Sequence, residues 1–443
     1  MEKITISRIL SQTNLRLAYQ QVIDNDGAGG IDQMRCDELW DYLLEHWTGI
    51  KQSIENGNYR PKAVRRVEIP KSKGGVRLLG IPTVLDRMIQ QAIAQELNRY
   101  YDPKFSEYSY GFRVGRSCHQ AIDKALEYLN AGYEYVVAID ISKFFDRVNH
   151  DSLMYSLSKE IQDKVVLKLI RKYLQSGVMV NGVKQPTKEG TPQGGNLSPV
   201  LSNIVLDRLD KELAKRGHRF VRYADDISIY VKSQRAGERV LKSISDWIRR
   251  HLKLEINEDK SGVMKYRKVE LLGFGFYKNS KRIAVRISES SYKRFTRKLK
   301  RLTNRSKSMN FRKRLKKLNQ LTVGWLGYFG KADGKRCITR LDEWLCRRLR
   351  CCIWKQWKLV RTRMRNLQRL GVDKQQAYEW ANTRKGYWRI SASPILQCTI
   401  TNKRLKRSGY KPLIETYNYF HGNLSNRRDT RIPMLRDGVR GIK

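Results

Sequence analysis

Acidic residues are scarce in this sequence. Its 443 residues include 43 Asp and Glu against 89 Lys and Arg, a formal charge of +46. A chain this basic repels itself, so a polyanion is the expected partner, nucleic acid before an anionic membrane. Paired cysteines are also missing. Seven cysteines occur (Cys36, Cys118, Cys337, Cys346, Cys351, Cys352, Cys398) and none forms a CxxC, which argues against a zinc ribbon or a zinc-bound nuclease module. Their odd total and irregular spacing predict a reduced cytosol. No run approaches 18 apolar residues, so no helical membrane span is expected. The start, "MEKITISRILSQTNL", lacks the apolar segment of a signal peptide. There is no internal repeat. The Gly-rich stretch "DNDGAGGID" (24–32) has neither P-loop nor GxGxxG spacing and reads as a plain loop.

What is present divides unevenly. At about 150 residues per domain the length allows about three domains, and 40% hydrophobic residues suffice for real cores. Ser291–Lys443 holds 41 Lys and Arg and 8 Asp and Glu, a net +33 (41 − 8), which leaves +13 for the first 290 residues. The C-terminal part is therefore the one built to lie on phosphates.

Local patterns give elements. Residues 1–60 read as helix with a loop. "VRRVEIPKSKGGVRLLGIP" (64–82) alternates around Ser72-Lys73-Gly74-Gly75 and predicts a hairpin carrying Lys71, Lys73 and Arg77. Taken alone, those cations read as solvated charges. "DRMIQQAIAQELNRYY" (86–101) has helical spacing. Val136–Ile139 reads as a buried strand ending on Asp140, which by itself reads as a turn cap. After "TPQGGN" (191–196), Ser198 is expected as an N-cap with Pro199 at the first helical position. Leu201, Ile204, Val205, Leu209 and Leu213 then share one face. "ELLGFGFY" (270–277) reads as a strand or tight hairpin. From Ser291 the spacing is helical and holds six of the nine tryptophans, expected mostly in a core with snorkelling cations. The tail after Ser391 is expected to be a small subdomain or partly disordered.

"FVRYADDISIYVKS" (220–233) places Asp225 beside Asp226 in a strand-like run. Consecutive strand residues face opposite ways, so one site can use both only if the chain turns. The expectation is a hairpin with Phe220–Arg222 and Ile227–Val231 as its arms. With Asp140 on a neighbouring strand, three carboxylates would converge and repel or take up protons. Divalent cations relieve this, and oxygen-only ligands suit Mg²⁺. Two such ions about 3.5–4 Å apart could serve an in-line phosphoryl transfer. Lys71 and Arg77 could hold a triphosphate, Phe145 could lie against a sugar, and Gln193-Gly194-Gly195 could admit close backbone approach.

The ordered set "EIPKSKGGVR", "SYGFRVGRS", "AIDISKFFDRVNHDSL", "TPQGGNLSP", "RYADD", "NEDKS" and "LLGFGFY" resembles a reverse transcriptase. It is most similar to the bacterial group II intron-encoded proteins, which act as reverse transcriptase and splicing maturase. Within these it resembles the compact class C branch, as no Cys/His-bearing endonuclease domain follows. The region "LNQLTVGWLGYF…RRLRCCIWKQWK" is similar to that family's thumb, or maturase, domain. The resemblance implies an α+β right-hand polymerase. Its fingers and palm, an antiparallel sheet with helices, precede an α-helical thumb and a small basic C-terminal region. It implies an N-terminal extension (1–60), fingers (61–135, with part of 150–185), palm (136–290), thumb/maturase domain (291–395) and basic C-terminal DNA-binding region (396–443).

Residue by residue, the resemblance implies Asp140, Asp225 and Asp226 as the metal triad for two Mg²⁺, with Mn²⁺ able to substitute. Lys71 and Arg77 match the triphosphate-holding residues and Phe145 the gate against a ribose 2′-hydroxyl. Gln193 lines the nucleotide site, and Ile141 is grouped with it. Lys260 is matched to the protonation of leaving pyrophosphate, and Leu272-Gly273-Phe274 to the grip on the primer end. Arg113 is expected to face template or nucleotide, and Asp146 to order a turn. The implied partners are group II intron RNA, an RNA template with DNA or RNA primer, dNTPs and target DNA, with no membrane and a homodimer left open. The implied location is the bacterial cytoplasm, associated with the nucleoid. Two alternatives stand beside this reading: a non-catalytic RNA-binding maturase, and a stand-alone reverse transcriptase serving DNA repair or defence.

Overall fold

The computed structural model describes residues 3–70, 75–180, 183–187, 189–191, 194–280 and 282–425. The chain forms two compact units that divide between Lys265 and Tyr266. The expected palm, 136–290, spans that division. The strands are β1 (Val64–Pro70), β2 (Val76–Ile81), β3 (Tyr135–Asp140), β4 (Val178–Val180), β5 (Val183–Gln185), β6 (Arg219–Tyr223), β7 (Asp226–Val231), β8 (Gly262–Lys265), β9 (Glu270–Leu271), β10 (Phe274–Asn279) and β11 (Arg282–Ile287).

In the first unit, β1 and β2 form the expected hairpin, registered from Arg65↔Ile81 to Pro70↔Val76. With β4 and β5 they make a four-stranded sheet in the order β2-β1-β4-β5. A second sheet has the order β6-β7-β3-β8, antiparallel throughout. Its central strand β3 buries Val136, Val137 and Ile139, so the apolar run of the sequence becomes the sheet's interior. The helices Val84–Tyr101, Ser198–Lys215 and Gln234–Trp247 contribute to this unit's core. Ser198 is the first helical residue and not the cap, which is Leu197. Leu201, Ile204, Leu209 and Leu213 are buried on the face the spacing gave.

The loop at 24–32 is held down. Arg87 donates from Nη2 to the Ala28 carbonyl at 2.9 Å, and a Cβ on Gly30 would stand 2.6 Å from Thr83 Cα. Beneath it Asp86 is 1% exposed. Its carboxylate accepts from Tyr59 (2.8 Å), Thr83 (2.8 Å), Tyr173 (3.1 Å) and the Lys62 amide (3.1 Å). Among the described residues no cation bonds it, and burial pushes its pKa up.

The second unit opens with the sheet β11-β10-β9. Leu272 (φ +51°) and Gly273 (φ +81°) form the two-residue turn between β9 and β10. Positive φ at both positions suits the tight turn that follows strand twist. Tyr328 donates to the Leu272 carbonyl at 2.8 Å, and Phe274 packs 5.0 Å from Phe329. The helices from Glu289 onward enclose a separate core. Trp354 is fully buried, Trp325 stacks on Phe295 at 3.8 Å, and Trp388 is exposed with Arg347 3.9 Å above its ring. After Ser391 the chain continues as helices whose Leu396, Leu405, Leu413 and Tyr417 join this core. Among the described residues no helix is long and apolar enough to cross a membrane.

Candidate active site

The acids meet as the opposed strands require. β6 and β7 pair with Tyr223↔Asp226, which leaves Ala224-Asp225 as the turn. β3 pairs with β7 so that Asp140 lies directly across from Asp226. Opposed residues of an antiparallel pair stand with Cβ atoms about 4.5–5.5 Å apart. All three carboxylates therefore sit at one end of the sheet.

Several residues hold this end in place. Asp140 donates its amide to Ser261 Oγ (3.0 Å), and its carbonyl accepts from the Asn257 amide (2.7 Å). Asn257–Ser261 thus wraps the strand end and brings Lys260 Nζ to 3.1 Å from Asp140 Oδ2. Ile141 continues the strand as a 2% exposed core residue bridged to Ile256. Below the turn lies a buried ion pair. Arg222 Nε and Nη2 bind the Asp210 carboxylate at 2.8 and 2.6 Å, with both side chains 0% exposed. Arg222 Nη1 donates to Asn203 Oδ1 and to the Ala224 carbonyl, each at 3.0 Å. Ala224 has φ +56°, a left-handed conformation that costs a Cβ-bearing residue about 1–2 kcal/mol. The guanidinium anchors it. On the other side a Cβ on Gly111 would stand 2.2 Å from Ala224 N, while Asn203 Nδ2 binds the Gly111 carbonyl at 2.9 Å.

The charges respond to this crowding. Asp226 is raised to about 6, first by burial and then by Asp225 and Asp140, with Lys260 opposing. Asp225 is raised by burial and by Asp140, with Arg77 and Lys260 opposing. Asp226 keeps solvent on one side, so the shift comes from packed protein atoms and like charge on the other. Among the described residues no three acidic, imidazole or thiol groups stand in an arrangement that could hold an ion, and Asp140 is turned to Lys260. The donor set still fits a hard divalent cation: three carboxylates, two of them raised first by burial and then by like charge, both of which a bound cation would offset.

The other expected residues fall variously. Arg77 on β2 is exposed and acts electrostatically on Asp225. Phe145 is half-buried, edge-on to Phe144 at 5.2 Å, and its carbonyl accepts from the Thr191 amide at 2.6 Å. Gly194 (φ +118°) lies where a Cβ would meet the Gly80 carbonyl at 2.7 Å, so the Gly-rich turn abuts β2. Lys71 and Gln193 lie outside the described residues. Leu272-Gly273-Phe274 belongs to the second unit. Asp146 is exposed, and its amide closes a turn on the Lys143 carbonyl at 2.9 Å.

Arg113 requires a correction. Its side chain is 5% exposed and binds Asp102 Oδ1 (2.7 Å) and the carbonyls of Asp102 (2.7 Å), Ser106 (2.7 Å) and Ser109 (3.1 Å). It faces inward and fixes the loop that carries Gly111, because a guanidinium can saturate several carbonyls a neutral side chain could not. The sequence reading also missed Arg222, Asp210, Asn203 and Gly111. Only the placement of an arginine directly before the acidic turn hinted at them.

The sheet, its three terminal carboxylates and the adjoining basic hairpin define the class: a polymerase fold of fingers and palm. Residues 69–276 match the family described as reverse transcriptase (RNA-dependent DNA polymerase), and residues 292–371 match the group II intron maturase-specific domain. Group II intron-encoded protein LtrA of Lactococcus lactis subsp. cremoris is 38% identical over 46% of this chain and 34% of its own. Protein YkfC of Escherichia coli (strain K12) is 31% identical over 53% of this chain and 71% of its own. Nuclear intron maturase 2, mitochondrial, of Arabidopsis thaliana is 24% identical over 46% of this chain and 35% of its own. This chain belongs to the group II intron reverse transcriptase/maturase family. It spans about a third of the length of the Lactococcus protein. Membership of the family implies a site dependent on divalent metal.

Proposed function

We propose that this chain is an RNA-directed DNA polymerase that extends a primer 3′-hydroxyl with dNTPs. In this reading it also binds a group II intron RNA, promoting its splicing and its return to target DNA. The observation that carries the polymerase reading is the register Asp140↔Asp226 with Asp225 beside it at the same strand end. Asp140, Asp225 and Asp226 would hold Mg²⁺, whose charge, when bound, stabilises the oxygens of a phosphoryl transfer. Arg77 approaches from β2 as a cation for the triphosphate. Lys260 holds an ammonium proton at the Asp140 carboxylate, beside the expected pyrophosphate. Phe145 narrows the sugar side. The second unit, with its excess of cations and its maturase-specific match, supplies phosphate contacts for template duplex and intron.

On this reading residues 1–60 extend the fingers of 61–135, the palm runs from 136 to 290, the thumb from 291 to 395, and the remainder contacts DNA. Primer extension on poly(rA)/oligo(dT) with Mg²⁺ is the test. The wild type extends, and Asp225→Ala does not while its affinity for RNA stays within about twofold. Extension by Asp225→Ala would remove the catalytic assignment. Absence of extension by the wild type would favour a maturase that only binds RNA.

A further inference from the structure

The helix Gln234–Trp247 turns Gly237 and Ile244 into the core and leaves its opposite side to solvent. Along that outer side runs a cleft of about 450 Å³, lined among others by Arg216, Arg239, Lys242, Arg250, Trp247 and His251. The helix contacts β3, β7 and β8, so it stands between the cleft and the catalytic sheet. Arg239 and Lys242 fall at i and i+3 on one helical face, and Arg250 joins the lining from the next turn, Ile248–Leu252.

Three nearby acids are already in ion pairs, and Glu238 accepts from Gln234 Nε2 at 3.0 Å. Glu212 pairs with Arg216 at 2.7 Å, and Asp246 and Glu255 both pair with Arg249 at 3.3 Å. Among the described residues, Arg239, Lys242 and Arg250 make no ion pair. Arg216 is braced toward the cleft by Ser243 Oγ, 2.7 Å from Nη1. With Arg216 held by Glu212 and the lining Asp246 by Arg249, the unpaired charges of Arg239, Lys242 and Arg250 leave a positive recess that an entering anion would relieve. The helix then passes into a π-helical turn, Ile248–Leu252, a departure frequent at functional positions. On that turn the exposed His251 ring stacks on Trp247, with centroids 4.8 Å apart and planes 19° apart. Such an aromatic face accepts an unpaired base. The second unit's recess beside Arg348 differs, because that guanidinium is already bonded to Thr303 Oγ1 and to the carbonyls of Lys300 and Thr303.

We propose that the cleft outside the helix Gln234–Trp247 is a second RNA site, which takes a single-stranded RNA segment by its phosphates, with a base against His251. It rests on the reading of this chain as an RNA-binding polymerase and adds to it a surface apart from the catalytic one. The probe is a fluorescein-labelled single-stranded RNA of about 20 nucleotides. It is titrated by anisotropy into full-length protein preloaded with dideoxy-terminated poly(rA)/oligo(dT). The wild type binds this second RNA. The R239Q/K242Q/R250Q variant, altered only at exposed side chains, binds it at least about tenfold more weakly, and its log–log salt slope is shallower by about 2. Its rate of primer extension is unchanged. Equal affinity and slope in the variant, or no second binding by the wild type, overturns the proposal. Binding of poly-glutamate that the variant loses, with RNA binding unaltered, overturns it in favour of an acidic protein. Asp225→Ala keeps the second binding in every case, so a failure of the polymerase reading shows in extension and not in this titration.

Discussion

At Asp226 burial and two neighbouring carboxylates act in the same direction, and the metal-free protein holds a proton there up to about pH 6. The unfolded chain releases that proton near the ordinary carboxylate value of about 3.9. Between these values the folded state binds more protons, so this group's contribution to stability falls as pH rises through the window. Asp226→Asn should therefore melt at a higher temperature than wild type at pH 8 in the presence of chelator. The gain should vanish by pH 4, while extension is lost at both. Arg222 gives the complementary case. Arg222→Met strands the buried Asp210 charge and should cost about 3–5 kcal/mol in urea unfolding. The double variant Arg222→Met/Asp210→Leu removes the stranded charge and should recover most of that stability. It should not recover extension, because the Ala224 carbonyl still lacks its donor. Full recovery of both would show that the guanidinium serves packing alone.

The hairpin β6–β7 and the loop of Gly111 act as paired elements. A Cβ at Gly111 would meet Ala224 N at 2.2 Å, and backbone on both sides leaves little room to yield. Gly111→Ala should lower the extension rate at least about tenfold by displacing the turn, with a smaller effect on melting than Arg222→Met. Steady-state extension beside a thermal scan checks this. The hairpin itself was legible in the sequence, since alternation on both sides of Ala224-Asp225 leaves no other way to bring both acids to one end. The strand ending at Asp140 was legible for the same reason: an apolar run has one polar terminus. The support beneath was not. A buried arginine in a strand looks like any outward-facing cation until Asp210, twelve residues earlier on a helix, is seen to meet it. Arg113 was misread in the same way, because a basic residue in a motif suggests phosphate when its actual partners are carbonyls of its own loop. Glycines chosen for close approach likewise show their reason only once the distant backbone is in place. The helix start at Ser198 shifted by one residue because Pro199 fits either of the first two positions.

For the whole chain, charge is the dominant property. With 89 basic against 43 acidic residues, binding should release many counterions. Affinity for single-stranded RNA should fall by two orders of magnitude or more between 50 and 200 mM KCl, as expected for about six phosphate contacts. A fall of less than about fivefold in filter binding would mean that most of these cations never touch nucleic acid. The division of the chain was only partly legible. The change in charge near Ser291 marks where the helices begin, whereas the compact unit begins at Tyr266. Composition records what a surface meets, and the unit boundary records what its interior packs against.

The turn at Leu272–Gly273 bears on how the protein is dissected. Its carbonyls are tied to Tyr328 and to the Ser288 amide, and Phe274 lies against Phe329. A C-terminal fragment cut at Ser291 would lose the three small strands and lay bare the aromatic rings they cover. One cut at Tyr266 would carry its own lid, and is the piece to express when the helical half is wanted by itself.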